Sequence, residues 1–378
     1  MYLPRLLDLR PLLEKKSLFL FGPRQTGKSS LIQHQFPSCR FYDLLDSRTL
    51  LSLGQRPERL EEELGPRDTV VVIDEIQKLP NLLDEVHRLI ESRKVRFLLT
   101  GSSARKLRRG GVNLLGGRAW SRAFHPFIYH ELGDQFDLLK ALNRGLIPSI
   151  YLSDNPEDDL EGYAGDYLKE EIAAEGLTRN IPAFSRFLEV AASCNGQMID
   201  YTSISNDAQI PRTTVHEYFQ ILKDTLIAHE LPAWQKSQKR KPITTSKFYL
   251  FDWGVVRHLQ HRQSIQPRSP EFGEAFEAYL FHEMKTFVDY TKCGNLYYWR
   301  SKSRFEVDFV IEEAVAVEVK AKTNITPNDL KGLLALQEEK KIKHLVAVSL
   351  EKTPRVVQNI QILPWSIFLT LLWERKFA

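Results

Sequence analysis

The sequence predicts an α/β fold in three parts: a parallel-sheet core, a helix-turn-helix module and a second α/β domain. Three observations carry this. An apolar, β-rich run over Lys16–Phe21 enters a loop bracketed by Gly22 and Gly27, which opens into a helical pattern at Lys28. Between Asn195 and Ile227 a short helix, a turn punctuated by Pro211 and a longer amphipathic helix follow one another. Near the end of the chain, Phe305–Ile311 and Ala314–Lys322 alternate as two neighbouring strands do. The predicted boundaries are 1–135 for the core, 136–188 for a helical connector, 189–246 for the helix-turn-helix module and 247–378 for the last domain.

At 378 residues the chain is too long for one core, and domains of about 100–200 residues imply two or three. With 43% hydrophobic and 26% charged residues it is neither disordered nor disulfide-framed. Cys39, Cys194 and Cys293 lie far apart with no CxxC spacing, so they read as packed thiols of a reducing compartment. The longest late apolar stretch, Ile367–Trp373, is far short of the roughly 20 residues that span a bilayer, and the start lacks signal-peptide features. A cytoplasmic location without membrane contact is the expectation. Since 52 basic residues face 48 acidic ones, any nucleic-acid contact must come from local patches.

The first element justifies itself in detail. Gly-x4-Gly-Lys-Ser stands between a strand and a helix, the context in which this motif cradles phosphates. Gly22 and Gly27 let the backbone curl so that successive N–H groups face phosphate oxygens. Pro23, Arg24, Gln25 and Thr26 complete the loop, and Ser30 continues its helix. Lys28 is placed to reach the β and γ phosphates of ATP, and Ser29 to ligate Mg²⁺. A second buried strand, Thr69-Val-Val-Val-Ile-Asp-Glu75, ends in paired carboxylates. Asp74 would serve the Mg²⁺ shell and Glu75 would polarise the attacking water; taken alone, the pair also fits a helix start. A third strand, Val95–Ser103, ends in hydroxyls, and a glycine- and arginine-rich stretch, Lys106–Arg118, follows.

Gly22–Ser29, Val70–Glu75, Leu98–Ser103, Leu115–Arg118 and His125–Leu132 together resemble the prokaryotic AAA-type (AAA+) P-loop ATPases, in the branch whose core precedes a C-terminal domain of unknown function. The resemblance implies Mg²⁺-dependent ATP hydrolysis and a homo-oligomer, in relatives a hexameric ring. It implies a polar residue touching the γ-phosphate or the water, with Thr100 and Ser102 as the candidates and a simple turn as the other reading. Arg118 is either an arginine finger that reaches a neighbouring subunit's nucleotide or a local helix cap or ion pair.

In the middle, Glu161–Leu188 reads as helices, including Tyr167–Glu175 with its good helix formers. The longer helix after Pro211 begins with Arg212, Thr213 and Thr214, residues able to touch DNA, and the basic stretch Gln235–Lys241 reads as the wing of a winged helix. Such modules also serve in packing or protein contact, and Glu217 and Asp224 dilute the helix charge.

In the last third, Asp308 lies on the strand face opposite Phe305, Val307, Phe309 and Ile311, and Glu318 and Lys320 share a face two residues apart. Paired as a hairpin, the strands bring Asp308, Glu318 and Lys320 together, and Glu277 on the preceding helix adds a carboxylate. This is the Asp…Glu-x-Lys arrangement of restriction-endonuclease-like folds, in which carboxylates hold Mg²⁺ and the lysine positions or deprotonates water. An exposed face held by salt bridges is the alternative. The expected function is ATP hydrolysis by an oligomer that acts on DNA or is regulated by it. The alternatives are a nucleotide-driven switch whose C-terminal half only recognises a protein or nucleic acid, and an ATP-coupled DNA endonuclease.

Overall fold

The computed structural model of the chain describes residues 2–103, 105, 107, 115–167 and 180–377. Lys106 and residues 108–114 of the glycine- and arginine-rich stretch lie outside the described residues, as do residues 168–175 of the expected connector helix. The chain divides into two compact units, Met1–Phe127 with Ile221–Ile227, and Ile128–Gln220 with Ala228–Ala378.

The first unit is built on five strands: β1 (Ser17–Phe21), β2 (Arg40–Asp43), β3 (Val70–Asp74), β4 (Arg96–Gly101) and β5 (Ala119–Ala123). Their order is β2-β3-β4-β1-β5 and every pairing is parallel. β4 therefore lies between the strand that feeds the glycine loop and the strand that ends in Asp74. Residues of β1 and β4 are buried on both faces, which is why their sequences read as continuous apolar runs rather than alternating ones. Helix α1 (Lys28–Gln35) follows the loop, and α2 (Leu82–Arg93) buries Leu82, Leu83, Val86, Leu89 and Ile90, the spacing of one helical face.

In the second unit the helices α3 (Ile181–Ser193), α4 (Tyr201–Ala208) and α5 (Arg212–Asp224) follow one another, and the last turn of α5 groups with the first unit. Asp200 caps α4 by accepting the Thr202 and Ser203 N–H groups, and Gln209, at φ 54°, ends it before Pro211. Phe184 and Phe187 on α3 meet Tyr218 and Phe219 on α5 with ring centroids 5.0–5.2 Å apart. Strands β6 (Ala228–Leu231) and β7 (Lys247–Leu250) pair antiparallel.

The stretch expected to be the wing, Gln235–Lys241, falls in the connection between those two antiparallel strands. Gln235–Lys241 contains no strand pairing of its own. Its neighbours instead run beside β8 (Leu296–Arg300), where the Trp234 N–H donates to the Tyr298 carbonyl at 2.7 Å and the Ile243 N–H to the Arg300 carbonyl at 2.8 Å. The physical reason is Glu339. Its buried carboxylate accepts the Ser237 hydroxyl at 2.7 Å and the backbone N–H groups of Gln238, Lys239 and Arg240 at 2.7–3.0 Å. Four donors around one buried acceptor hold the segment down.

The remaining strands, β8, β9 (Glu306–Ile311), β10 (Val315–Lys320), β11 (His344–Ser349), β12 (Arg355–Val357) and β13 (Ile360–Pro364), form a six-stranded sheet in the order β12-β13-β11-β10-β9-β8. β8, β9 and β10 form an antiparallel meander, and β10, β11 and β13 are parallel. Helices α6 (Pro270–Thr291), α7 (Lys331–Gln337) and α8 (Trp365–Trp373) cover it. No helix among the described residues is long and apolar enough to cross a membrane.

Candidate functional site

The glycine loop leaves β1 at Phe21 and turns sharply before α1. Gln25 and Gly27 both have positive φ, 59° and 91°, and at Gly27 the absence of a Cβ makes that conformation free of strain. Because Gly27 caps α1 without a side chain, the first-turn N–H groups of the helix are left for an anion. The Thr26 hydroxyl donates to the Pro23 carbonyl at 2.8 Å, closing the curl. The Lys28 ammonium is buried and donates to the Gly22 and Pro23 carbonyls at 2.7 and 2.9 Å. It thus lies back along the loop that a triphosphate would follow. Ser29 and Ser30 stay exposed at the start of α1, while Arg24 is half-buried.

Ser29, Asp74, Thr100 and Glu75 come together at the ends of α1, β3 and β4. The Ser29 hydroxyl donates to Asp74 Oδ2 at 3.0 Å, the Thr100 hydroxyl donates to Asp74 Oδ1, and the Glu75 N–H donates to Thr100 Oγ1 at 3.2 Å. Of the two hydroxyl candidates at the end of β4, Thr100 touches the Asp74 carboxylate and the Glu75 backbone N–H directly, and Ser102, one residue past the strand, is bonded to Gln77 at 3.3 Å. Glu75 sits at φ 60°, a left-handed conformation that costs a non-glycine residue roughly 1–3 kcal/mol. Burial pushes the Glu75 carboxyl above the ordinary range, and the nearby Lys28 cation draws it part of the way back. A hydroxyl and a carboxylate, already in hydrogen-bond contact, are the hard oxygen donors that suit Mg²⁺.

Two contributors to this site escaped the sequence. Arg5 braces the loop from the chain start, donating to the Thr26 carbonyl at 2.7 Å and to the His125 carbonyl at 2.6 Å. Gln77 donates through Nε2 to Glu75. Neither residue type carries a motif of its own; only their partners reveal them.

Arg118 lies at the other end of the sheet. In the parallel register Ser17 faces Ala119 and Phe21 faces Ala123, so Arg118 stands beside the entry of β1 while the glycine loop leaves its exit. There it is paired with Glu91, and Nη1 donates to the Gly116 carbonyl at 3.3 Å. The glycine loop is a strand length away, about 13 Å at 3.3 Å per residue.

In the second unit, Glu277, Asp308, Glu318 and Lys320 lie near enough to act on one another's charge, and the sequence missed the other half of the group. Lys247, on β7, is buried with its ammonium 2.8 Å from Glu306 and 3.7 Å from Glu277. The Tyr249 hydroxyl donates to Glu277 at 2.7 Å, the Val319 N–H donates to Asp308 at 2.7 Å, and Lys320 pairs with Glu318. Burial, then the Asp308 charge, pushes both the Glu277 and Glu318 carboxyls up. Burial opposes the charged form of Lys247, yet Glu277, Asp308 and Glu306 outweigh it and hold the ammonium above its ordinary range. Among the described residues, no group of three or more His, Cys, Asp or Glu is disposed to hold a metal ion.

Three family models match the chain. Residues 14–133 match an AAA domain, residues 135–266 a domain of unknown function (DUF8612), and residues 272–368 another domain of unknown function (DUF4143). No curated protein matches. Solved structures to which the chain is similar include the Orc1 protein of Aeropyrum pernix in complex with DNA, at 14% identity and TM-score 0.28, covering 66% of this chain and 90% of that one. The replication initiator DnaA bound to AMPPCP and single-stranded DNA matches at 13% identity and TM-score 0.30, over 59% and 90%. A signal-transduction ATPase with numerous domains from Pyrococcus horikoshii matches at 14% and 0.21, over 77% and 48%. Scores this low leave function to the chain's own geometry.

Proposed function

We propose that this chain, whose residues 14–133 are an AAA-type P-loop domain, binds ATP with Mg²⁺ at the glycine loop, hydrolyses it and works as a homo-oligomer. The observation that carries the reading is the convergence of Ser29, Asp74, Thr100 and Glu75 beside the loop and Lys28. When bound, Mg²⁺ would neutralise phosphate charge, and Ser29 with Asp74 would hold it. Lys28 swings from the Gly22 and Pro23 carbonyls to the phosphates, the loop N–H groups bind the same oxygens, and Glu75 orients and deprotonates the attacking water. Arg118, remote from its own loop, suits a neighbouring copy's site in a ring such as a hexamer.

For the rest of the chain the reading is a helix-turn-helix module and a nuclease-like sheet domain that recognise DNA and do not cut it. Arg212 and Thr213 are exposed at the start of α5, with Thr214 half-buried behind them, which favours DNA contact by that helix. The lysine-compensated carboxylates favour recognition over cleavage. Phosphate release by the purified protein is the test, measured with and without Mg²⁺ and DNA, alongside Glu75→Gln and a plasmid-nicking assay. Expected are Mg²⁺-dependent turnover that DNA alters, a Glu75→Gln variant that binds ATP but turns over about 10²- to 10⁴-fold more slowly, and intact plasmid. Wild-type protein that releases no phosphate under any of these conditions would sink the reading.

A further inference from the structure

We propose that Gln77 is the positioning residue for Glu75 and that position 101 is glycine because the Gln77 amide needs its space; this rests on Glu75 acting on the water as proposed above. The chain ends β3 at Asp74, reverses through the left-handed Glu75 and makes a single 3-10 turn over Ile76–Lys78. That turn brings the Gln77 side chain back against the carboxylate two residues before it, where Gln77 is 6% exposed. A buried primary amide is costly unless its donors are used.

Chemistry fixes which way the amide faces. An ionised carboxylate only accepts, so Nε2 must point at Glu75. The same nitrogen donates to Ser102 Oγ at 3.3 Å, so both amide hydrogens are spent on residues at the exits of β3 and β4. Oε1 is buried, accepts no hydrogen bond among the described residues, and is turned toward Gly101. A Cβ at position 101 would stand 2.3 Å from Oε1 and 3.2 Å from the amide carbon. Any side chain there expels the amide from its place. A glutamate turns about three side-chain bonds, and the Gln77 bond selects one placement of its carboxylate. Misplacement of a catalytic group by about 1 Å is worth on the order of 10²-fold in rate.

The experiment measures kcat for phosphate release and the Kd of a non-hydrolysable ATP analogue for the full-length protein and its variants, with thermal melting of each. Gln77→Ala is expected to lower kcat by about 10- to 100-fold while leaving Kd within about twofold, because the Gln77 amide bonds Glu75 and Ser102. Gly101→Ala is expected to lower kcat similarly in the presence of Gln77, yet to add nothing on top of Gln77→Ala, since the amide it displaces is gone. In a Glu75→Gln background, Gln77→Ala should add nothing further. Wild-type kcat in Gln77→Ala, parallel loss of kcat and affinity, or full additivity of the Gly101→Ala effect would each overturn the inference. Turnover at the wild-type rate in Glu75→Gln would overturn the role of Glu75 itself. A dead Glu75→Gln with an active Gln77→Ala overturns only the role of Gln77.

Discussion

The Ser29 hydroxyl and Asp74 Oδ2 are joined by a hydrogen bond of 3.0 Å across 45 residues of chain. One group starts α1 and the other ends β3, so the bond records how the parallel sheet brings a helix start and a strand end to the same edge. Thr100 takes the other carboxylate oxygen, which leaves Asp74 with both oxygens aimed by neighbours instead of free to rotate. Preorganisation of this kind lowers the entropy cost of holding a cation and a triphosphate together.

Lys28 gives the most direct check on that site. In Lys28→Ala the ammonium leaves the Gly22 and Pro23 carbonyls, and the phosphates lose a charge-assisted donor worth about 1.5–3 kcal/mol. Kd for ATP is therefore expected to rise roughly 10- to 100-fold by calorimetry, with little change in melting temperature. An unaltered Kd would remove Lys28 from the phosphate site.

The glycine loop, Asp74 and Glu75 were legible in the sequence because phosphate chemistry demands specific residues at short, fixed spacing. The hydroxyls of Thr100 and Ser102 were legible only as candidates, and the contact of Thr100 with Asp74 separates it from Ser102. How Gln235–Lys241 is held was not legible, because its composition says nothing of Glu339, whose bond to Ser237 spans 102 residues. Lys247 was invisible for the same reason: a lone lysine on a short strand acquires meaning only from Glu306 and Glu277. Gln77 sits two residues from a motif, yet its role shows only through the space left at Gly101.

Arg118→Ala tests whether the nucleotide site is shared between copies. A finger acts on transition-state charge, so ATP affinity should hold while turnover falls by about 10³- to 10⁵-fold. Mixing this variant with Lys28→Ala protein should restore part of the activity, because the Lys28→Ala copy supplies an intact Arg118 to its neighbour. Verified mixed oligomers without any recovery would leave Arg118 as the local partner of Glu91 alone.

A pH prediction follows from Glu283, a fully buried carboxyl on α6 whose Oε1 accepts the Tyr129 N–H at 2.6 Å. Burial raises its pKa to about 8 even though that hydrogen bond pulls the other way. The folded protein therefore keeps this proton up to about pH 8, while the unfolded chain releases it near 4.5. Between those values the folded state binds more protons, so stability falls as pH rises through the window and levels off above it. Glu283→Gln should remove that fall, on the order of a few kcal/mol, when denaturation is compared at pH 5.5 and 8. Identical pH slopes for both proteins would show that Glu283 titrates normally.

Lys247 decides between an ion-paired cluster and a metal-dependent nuclease. Its ammonium lies among Glu306, Glu277 and Asp308, where a divalent cation would otherwise have to compensate the same charge. Removing one partner of a buried ion pair leaves the other uncompensated, at a cost of about 3–5 kcal/mol. Lys247→Met is thus expected to lower the melting temperature markedly, and Lys247→Met with Glu306→Gln to recover part of the loss, since the nearest of the charges left behind is then also gone. ATP turnover should survive in Asp308→Ala and Lys320→Ala, whose side chains belong to the second unit, and wild-type protein should leave single-stranded, duplex and branched DNA uncut in Mg²⁺ or Mn²⁺. Metal-dependent cleavage that disappears in Asp308→Ala, while ATP hydrolysis persists, would instead make these carboxylates a working nuclease site and Lys247 a residue that shapes it.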